Sequence, residues 1–241
     1  MSIERRKVEV SGLPIQTFRS VADAANWALN EQGGVFQGAA VALNAEKIAR
    51  SYKKKNYFGE LQKFCFFYAD GAPVAWITRR ENPESNRVPG VELWEEVMKI
   101  SAQRDLRVYL LGADEDTNRQ TAELLESRFG LKKLLRRNGF FDDQTTILEE
   151  LKAFRPDVVT VAMGSPRQER FIEEAFAAHP HTFYMGVGGT YDVFTGKVAR
   201  APAWMQQLSL EWLYRLARAP SRLGRYTILL KFLFLWALRK I

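Results

Sequence analysis

The most suggestive polar side chains directly follow short apolar runs. Asp70 ends the segment FCFFYAD and precedes Gly71, and Asn44 ends the segment GAAVALN. A carboxylate at the end of a largely buried strand is suited to act as a general base toward a substrate hydroxyl. Asp-Gly is also a common turn pair, so a purely conformational role is the alternative.

The segment MGSPRQER (163–170) predicts a strand that ends at Gly164 and a helix that follows it. Ser165 is a candidate helix cap, and the proline after it suits the first helical position. The N–H groups at such a helix start favour anions, and Gln168 and Glu169 in the first turn would face the bound ligand. The alternative is that Ser165 and Glu169 only cap the helix.

The segment GVGGTYD (186–192) is a second candidate binding loop. Gly188 and Gly189 would admit a sugar or phosphate close to the backbone, and Asp192 is a polar candidate beside them. Tyr191 occupies the third glycine position of the dinucleotide fingerprint, which argues against a nicotinamide-dependent oxidoreductase. The glycines would alternatively serve only the turn.

Four arginines near the C-terminus are spaced by three, four and three residues: Arg215, Arg218, Arg222 and Arg225. On an unbroken helix they fall within an arc of about 80°, although Pro220 lies between them. One guanidinium group can donate two parallel hydrogen bonds to phosphate oxygens. The four arginines therefore predict a site that binds a diphosphate, a face that binds anionic lipid, or both.

The remaining reactive residue types give little support to other chemistry. His179 and His181 flank a proline in a predicted loop, without a cysteine or carboxylate at ligand spacing, so we expect no metal site. Cys65 is the single cysteine and lies in an apolar run, which favours a buried, inert thiol and a reducing cytoplasm.

Short apolar runs alternate with amphipathic stretches through the first 200 residues, which predicts an α/β fold with a Rossmann-like, mostly parallel sheet flanked by helices. In such sheets ligands bind outside the carboxyl ends of the strands, where the polar residues above gather. The predicted strands are 38–44, 64–70, 107–112, 157–164 and 182–189, and the predicted helices are 45–57, 90–104, 114–129, 143–154 and 166–178.

The excess positive charge lies entirely in the C-terminal segment. The chain has 35 basic and 28 acidic residues, and eight of the basic residues but only one acid, Glu211, lie within 200–241. The apolar run 226–238 would rise only about 20 Å as a helix, which is too short to cross a bilayer. We therefore predict a catalytic domain over 1–199 and a helical, membrane-associating appendage over 200–241; a helix packed on its own domain is the alternative.

Seven motifs, in this order, resemble the WecG/TagA/CpsF family of bacterial glycosyltransferases. The resemblance extends over nearly the whole chain, and its two longest motifs make a chance match improbable. The motifs are NAEK (44–47), ADG (69–71), RVPG (87–90), NGFF (138–141), MGSPRQE (163–169), GVGGTYDVFTGKVARAP (186–202) and LEWLYRL with PSR (210–222).

The resemblance implies an inverting, metal-independent transferase with no cofactor, acting on a UDP-sugar donor and a lipid-linked sugar acceptor. It places the catalytic base at Asp70 and the other motif residues of the catalytic group at Asn44, Arg87 and Gln168. Gly164, Ser165, Glu169, Gly188, Gly189 and Asp192 are the candidate substrate-binding residues of the domain, and the appendage arginines are Arg215, Arg222 and Arg225.

Within the family, the sequence most resembles members that transfer N-acetylmannosaminuronate to undecaprenyl-diphosphate-linked N-acetylglucosamine in enterobacterial common antigen synthesis. This implies a peripheral enzyme on the cytoplasmic face of the inner membrane. A uronate donor needs a cation, for which Lys47, Arg87 and Arg200 are alternatives. Many members have threonine where this chain has Ala42, so any hydroxyl contact there is missing.

Three other functions remain as alternatives. The first is transfer of N-acetylmannosamine from UDP in a teichoic-acid-type pathway. The second is a non-catalytic module that binds the membrane surface. Nucleic-acid binding is disfavoured, because the basic residues of the appendage alternate with aliphatic surface, and we expect no nucleic-acid partner.

Overall fold

The computed structural model describes residues 7–30, 33–53, 57–202, 204, 205, 211 and 214. Most of the predicted appendage, including Arg215, Arg222 and Arg225, therefore lies outside the described residues, and the boundary near residue 200 remains a prediction. None of the helices in the described part of the chain has the length and apolar character that a membrane span requires.

Eight strands and eight α-helices make up the described chain. The strands are β1 (Lys7–Val10), β2 (Leu13–Gln16), β3 (Gly38–Leu43), β4 (Cys65–Ala69), β5 (Val108–Gly112), β6 (Leu134–Arg137), β7 (Val158–Ala162) and β8 (Phe183–Gly186). The helices are α1 (Val21–Ala28), α2 (Ala45–Lys53), α3 (Ala72–Glu81), α4 (Gly90–Gln103), α5 (Glu115–Phe129), α6 (Gln144–Phe154), α7 (Arg167–Ala178) and α8 (Thr190–Phe194), with a short 3₁₀ helix over Gly59–Lys63.

The strands form one sheet in the order β1-β2-β4-β3-β8-β7-β5-β6. All described pairs are parallel except β1 with β2. This confirms the predicted α/β class with a mostly parallel sheet flanked by helices. Strands β4, β3, β8 and β7 are consecutive neighbours, so the loops that follow them lie side by side at the carboxyl edge.

Both faces of the sheet are buried, which is why its central strands read as continuous apolar runs. One face packs against α2, α6 and α7 through residues such as Val41, Val161 and Phe171. The other packs against α1, α4 and α5 through residues such as Trp94, Leu110 and Met185. The loops at the carboxyl edge therefore emerge from a scaffold that is packed on both sides.

The structure contains elements that the apolar pattern did not predict. Strands β1 and β2 form a hairpin whose two-residue turn has positive φ at Ser11 (56°) and Gly12 (74°), as a tight hairpin with the twist of the strands requires. Helix α1 begins at the cap residue Ser20, whose side chain accepts from the backbone N–H of Asp23. Helices α3 and α8 and the partly buried edge strand β6 were also missed.

Candidate active site

Four neighbouring strands deliver the predicted polar residues to one edge of the sheet. Asp70 follows β4, Asn44 follows β3, Gly164 lies just after β7, and Gly188 lies just after β8. Because these strands are parallel and adjacent, their carboxyl ends lie along one edge, and ligands of open α/β sheets bind in the crevice outside that edge. The sequence prediction of a shared edge is confirmed.

Asp70 forms hydrogen bonds with the end of β3 and with the start of α4. Its backbone N–H donates to the carbonyl of Leu43 at 3.1 Å, and its Oδ1 accepts from the backbone N–H of Gly90 at 2.9 Å. Gly90 is the first residue of α4, so Asp70 accepts from one of the N–H groups that have no partner within this helix. No hydrogen bond reaches Oδ2 of Asp70 from the residues that the structure describes, so this oxygen can accept a proton from a substrate.

Asn44 lies against the backbone of the Asp-Gly pair. Its Oδ1 accepts from the backbone N–H of Lys47 at 3.0 Å and so caps the first turn of α2. A Cβ on Gly71 would be 3.0 Å from the Cβ of Asn44. The glycine therefore permits the close approach of two loops, and the Asp-Gly sequence does more than form a turn.

Arg87 connects the loop of Asp70 to the beginning of the appendage. Its Nε donates to the backbone carbonyl of Asp70 at 2.9 Å, and its Nη2 forms an ion pair of 3.2 Å with Glu211. The side chains of Arg87 and Glu211 are 21% and 12% exposed. Arg87 therefore fixes the main chain beside the carboxylate and does not contact the Asp70 side chain.

Gln168 crosses the end of β8. Its Oε1 accepts from the backbone N–H of Gly188 at 3.0 Å. A Cβ on Gly186 would lie only 2.5 Å from Nε2 of Gln168, so a larger residue here would have to displace this amide. The amide side chain thus determines the path of the loop that the sequence identified as a second binding segment.

Glu169 and Lys47 form a buried ion pair next to Gln168. The Nζ of Lys47 lies 2.9 Å from Oε1 of Glu169, and both side chains are 11% exposed. The same Oε1 accepts from Nε2 of Gln168 at 3.3 Å, whereas Oε2 is buried and has no hydrogen-bond partner among the described residues. From the sequence, Lys47 was predicted only as a partner for a uronate, and its pairing with Glu169 was not predicted.

The predicted capping role of Ser165 is wrong. Helix α7 begins at Arg167 with Pro166 as its N-cap residue and without a side-chain cap, so the serine lies one residue too early and is exposed. The peptide bond between Ser165 and Pro166 is cis. Glu169 does not cap the helix either, because its carboxylate pairs with Lys47.

The GVGGTYD segment divides into loop and core. Gly189 is exposed at the carboxyl edge, but Tyr191 is fully buried and its hydroxyl lies 2.6 Å from Oγ1 of Thr160. The tyrosine at the third glycine position therefore belongs to the core. Asp192 is half-buried, 3.8 Å from Nζ of Lys197, which also pairs with Asp114 after β5.

One further neighbour of Asp70, Tyr68, was not among the predicted site residues. Tyr68 lies in β4, two residues before Asp70, and its buried hydroxyl lies beside Gly90, whose N–H donates to Asp70. Burial, followed by the charge of Asp70, raises the pKa of the Tyr68 hydroxyl well above its usual value. Only the two-residue spacing in the sequence indicates this proximity, and FCFFYAD contains too many apolar residues for that signal to be specific.

The histidines and the cysteine lie away from the crevice. His179 contacts the carbonyl of Leu148 at 3.2 Å through Nε2, and His181 is exposed near the amino end of β8. Burial raises the pKa of the Cys65 thiol to about 12. The described residues include no cluster of three or more histidine, cysteine or acidic side chains arranged to hold a metal ion.

A carboxylate, an amide side chain and glycine loops at the carboxyl edge of a parallel sheet occupy the position where α/β enzymes bind their ligands. Residues 8–241 match the glycosyl transferase WecG/TagA/CpsF family. The chain belongs to this family. Its role is therefore in glycosyl transfer, with a sugar donor and an acceptor as substrates.

Proposed function

We propose that the chain is an inverting transferase that moves N-acetyl-D-mannosaminuronate from UDP to N-acetylglucosamine on undecaprenyl diphosphate. The observation that carries this proposal is the position of Asp70 in a chain of this family. One carboxylate oxygen is held by Gly90, and the other accepts no hydrogen bond from the described residues at an edge shared with Asn44.

In the proposed reaction Asp70 removes the proton from the acceptor hydroxyl. The hydroxyl oxygen then forms a bond to the anomeric carbon of the donor while the bond from that carbon to the UDP oxygen breaks. Inversion follows because the acceptor attacks from the face opposite the leaving group. A positioned general base of this kind typically contributes about 10²–10⁴ in rate.

The leaving UDP acquires negative charge that a positive group must stabilise. Arg215, Arg222 and Arg225 are the proposed partners of the diphosphate and lie outside the described residues. They would take the role that a divalent cation has in other transferases. Retained turnover after exhaustive chelation is expected; a strict requirement for Mg²⁺ or Mn²⁺ would contradict this part of the proposal.

The neutral donor UDP-N-acetylmannosamine is a second candidate, and one observation favours it. Each cation considered for the uronate already has an acidic partner: Lys47 pairs with Glu169, Arg87 with Glu211, and Arg200 with Glu92 at 2.9 Å. A donor carboxylate would have to compete with one of these acids. A neutral donor would not.

A comparison of donors tests the proposal. Release of UDP is measured with a short-chain prenyl-diphosphate N-acetylglucosamine acceptor and either donor. Acceptor-dependent release with the uronate supports the principal proposal, and release with the neutral sugar alone supports the second candidate. Release with neither would move the function to another sugar or to a non-catalytic membrane-surface module.

We also propose that the chain acts at the cytoplasmic face of the inner membrane, where the appendage over 200–241 binds anionic lipid. Its seven excess positive charges support this location. The test is sedimentation with vesicles that contain anionic lipid, for the full chain and for a chain ending at residue 199. Equal vesicle binding and equal turnover by both forms would contradict the proposed coupling of the membrane to the site.

A further inference from the structure

The Lys47–Glu169 pair is the most deeply buried ion pair that the described residues form. Taking two charges out of water costs several kcal/mol per ion, and such pairs are therefore weak contributors to stability. The unpartnered Oε2 of Glu169 adds to this cost. Stability alone gives no reason for this pair beneath the crevice.

The pair is one link in a continuous series of contacts beneath the crevice. Asn44 accepts from the backbone N–H of Lys47, and the ammonium of Lys47 reaches Glu169. The carboxylate of Glu169 accepts from Gln168, which in turn accepts from the N–H of Gly188. The series connects the loops after β3, β7 and β8, and the Lys47–Glu169 ion pair joins the segment after β3 to the segment after β7.

The ion pair also restricts where the amide of Gln168 can lie. One oxygen of Glu169 is shared by the Lys47 ammonium and the Gln168 N–H₂ group, while Oε1 of Gln168 is turned toward Gly188. Without the ammonium, the buried carboxylate would lose the one cation that pairs with it among the described residues and would move toward water. Its hydrogen bond to Gln168 would then be lost.

We propose that Lys47 is a positioning residue that acts through Glu169 to fix Gln168 and, with it, the Gly188 N–H at the carboxyl edge. This inference rests on the proposed function for its kinetic consequences, but not for its structural ones. Displacing a positioned group by about 1 Å costs up to a hundredfold in rate. Because Gln168 is still present in a Lys47 variant, the loss falls on kcat and the KM for the donor changes less.

The kinetic test is a double-mutant cycle in the full chain. Lys47→Met retains the aliphatic stem and is expected to lower kcat by about ten- to a hundredfold. In a Gln168→Ala background the same change is expected to alter kcat less than twofold, because the group through which Lys47 acts is gone. Equal losses in both backgrounds would overturn the proposal.

Two further variants separate positioning from folding. Lys63→Met removes an exposed lysine that pairs with Glu60, and it is expected to leave kcat unchanged. Lys47→Met combined with Glu169→Gln leaves no unpaired buried charge, so it should fold if the single variant does not. It must still show the loss of kcat, since a neutral amide does not replace the ion pair; wild-type kcat in this folded double variant would also overturn the proposal.

A readout without substrate distinguishes failure of this inference from failure of the proposed function. Hydrogen exchange of the Gly188 amide, which donates to Gln168, is expected to be about tenfold faster in Lys47→Met than in the wild type and unchanged in Lys63→Met. Unchanged exchange would refute the positioning role even in an active enzyme. Faster exchange in a chain that transfers neither sugar would support the positioning role and refute only the proposed function.

Discussion

The two edges of the parallel sheet differ in how their polar groups are used. The amino edge holds a cavity of about 700 Å³, lined among others by Arg107, Asp157 and His179. Its polar groups mainly tie neighbouring loops to backbone: Asp157 accepts from the Arg107 N–H at 2.8 Å, and Thr182 donates to the Pro156 carbonyl at 2.8 Å. These hydrogen bonds hold together the loops that lead into neighbouring strands.

At the carboxyl edge, polar side chains from different strands contact one another and leave acceptor atoms unused. Oε2 of Glu169 is buried without a partner among the described residues. Oδ2 of Asp70 likewise accepts no hydrogen bond from the residues that the structure describes. Cavity volume therefore does not identify the candidate site, whereas converging side chains with unused oxygens do.

The largest expected difference between the edges concerns Asp70. Asp70→Asn retains an oxygen that can accept from Gly90 but loses the basic carboxylate, so turnover is expected to fall about 10²–10⁴-fold. The measurement is acceptor-dependent UDP release, with UDP affinity determined by calorimetry as the control. Near-normal turnover, or a loss explained entirely by weaker UDP binding, would remove Asp70 as the base.

Gly186 allows a more local test of the same edge. In Gly186→Ala the new Cβ would lie 2.5 Å from Nε2 of Gln168 and must displace that side chain, so we expect a loss of about ten- to a hundredfold in kcat. Gly34→Ala is the matched control before β3, where a Cβ would meet nothing closer than 3.9 Å. Similar effects in the two variants would mean that loss of a glycine, and not displacement of Gln168, is responsible.

Glu211→Gln would sharpen the description of the carboxyl edge by releasing Arg87 from its acidic partner. If Arg87 meets the donor carboxylate, KM for the uronate donor should fall about two- to fivefold, because the donor no longer competes with a largely buried acid for the guanidinium. KM for the neutral donor should stay unchanged. A higher KM for both donors would instead assign Glu211 to holding the appendage in place.

The sequence predicted this edge better than it predicted the contacts within it. The five predicted strands and five predicted helices are present because buried parallel strands produce continuous apolar runs, and helix signals separate them. Asp70 and Asn44 were found because each directly follows such a run. The hairpin of β1 and β2 was missed because its four-residue strands are too short for a clear pattern.

The pairings within the site depend on tertiary distances that spacing does not encode. Lys47 and Glu169 are far apart in the chain and meet only because β3 and β7 flank β8. Ser165 was misplaced by one residue, since the sequence does not show that Pro166 precedes the first helical residue. The motif therefore located the loop correctly and the side-chain role incorrectly.

The smallest expected effect lies at the other end of the strand that delivers Asp70. Cys65 is the first residue of β4, and Cys65→Ala should change turnover less than twofold because the thiol is far from the carboxyl edge.

Burial raises the pKa of this thiol to about 12, so it is protonated at neutral pH and should react slowly with iodoacetamide in the folded chain. Folding favours the protonated thiol, because its pKa is higher in the folded chain than in the unfolded chain. The free energy of unfolding should therefore decrease as the pH rises from the ordinary thiol pKa toward 12. The measurements are alkylation rates of native and urea-unfolded chain at pH 7.5 and the slope of unfolding free energy above pH 9, with and without Cys65→Ala. Fast alkylation of the native thiol that also abolishes turnover would extend the functional region along β4 to the amino edge and end the distinction between the two edges.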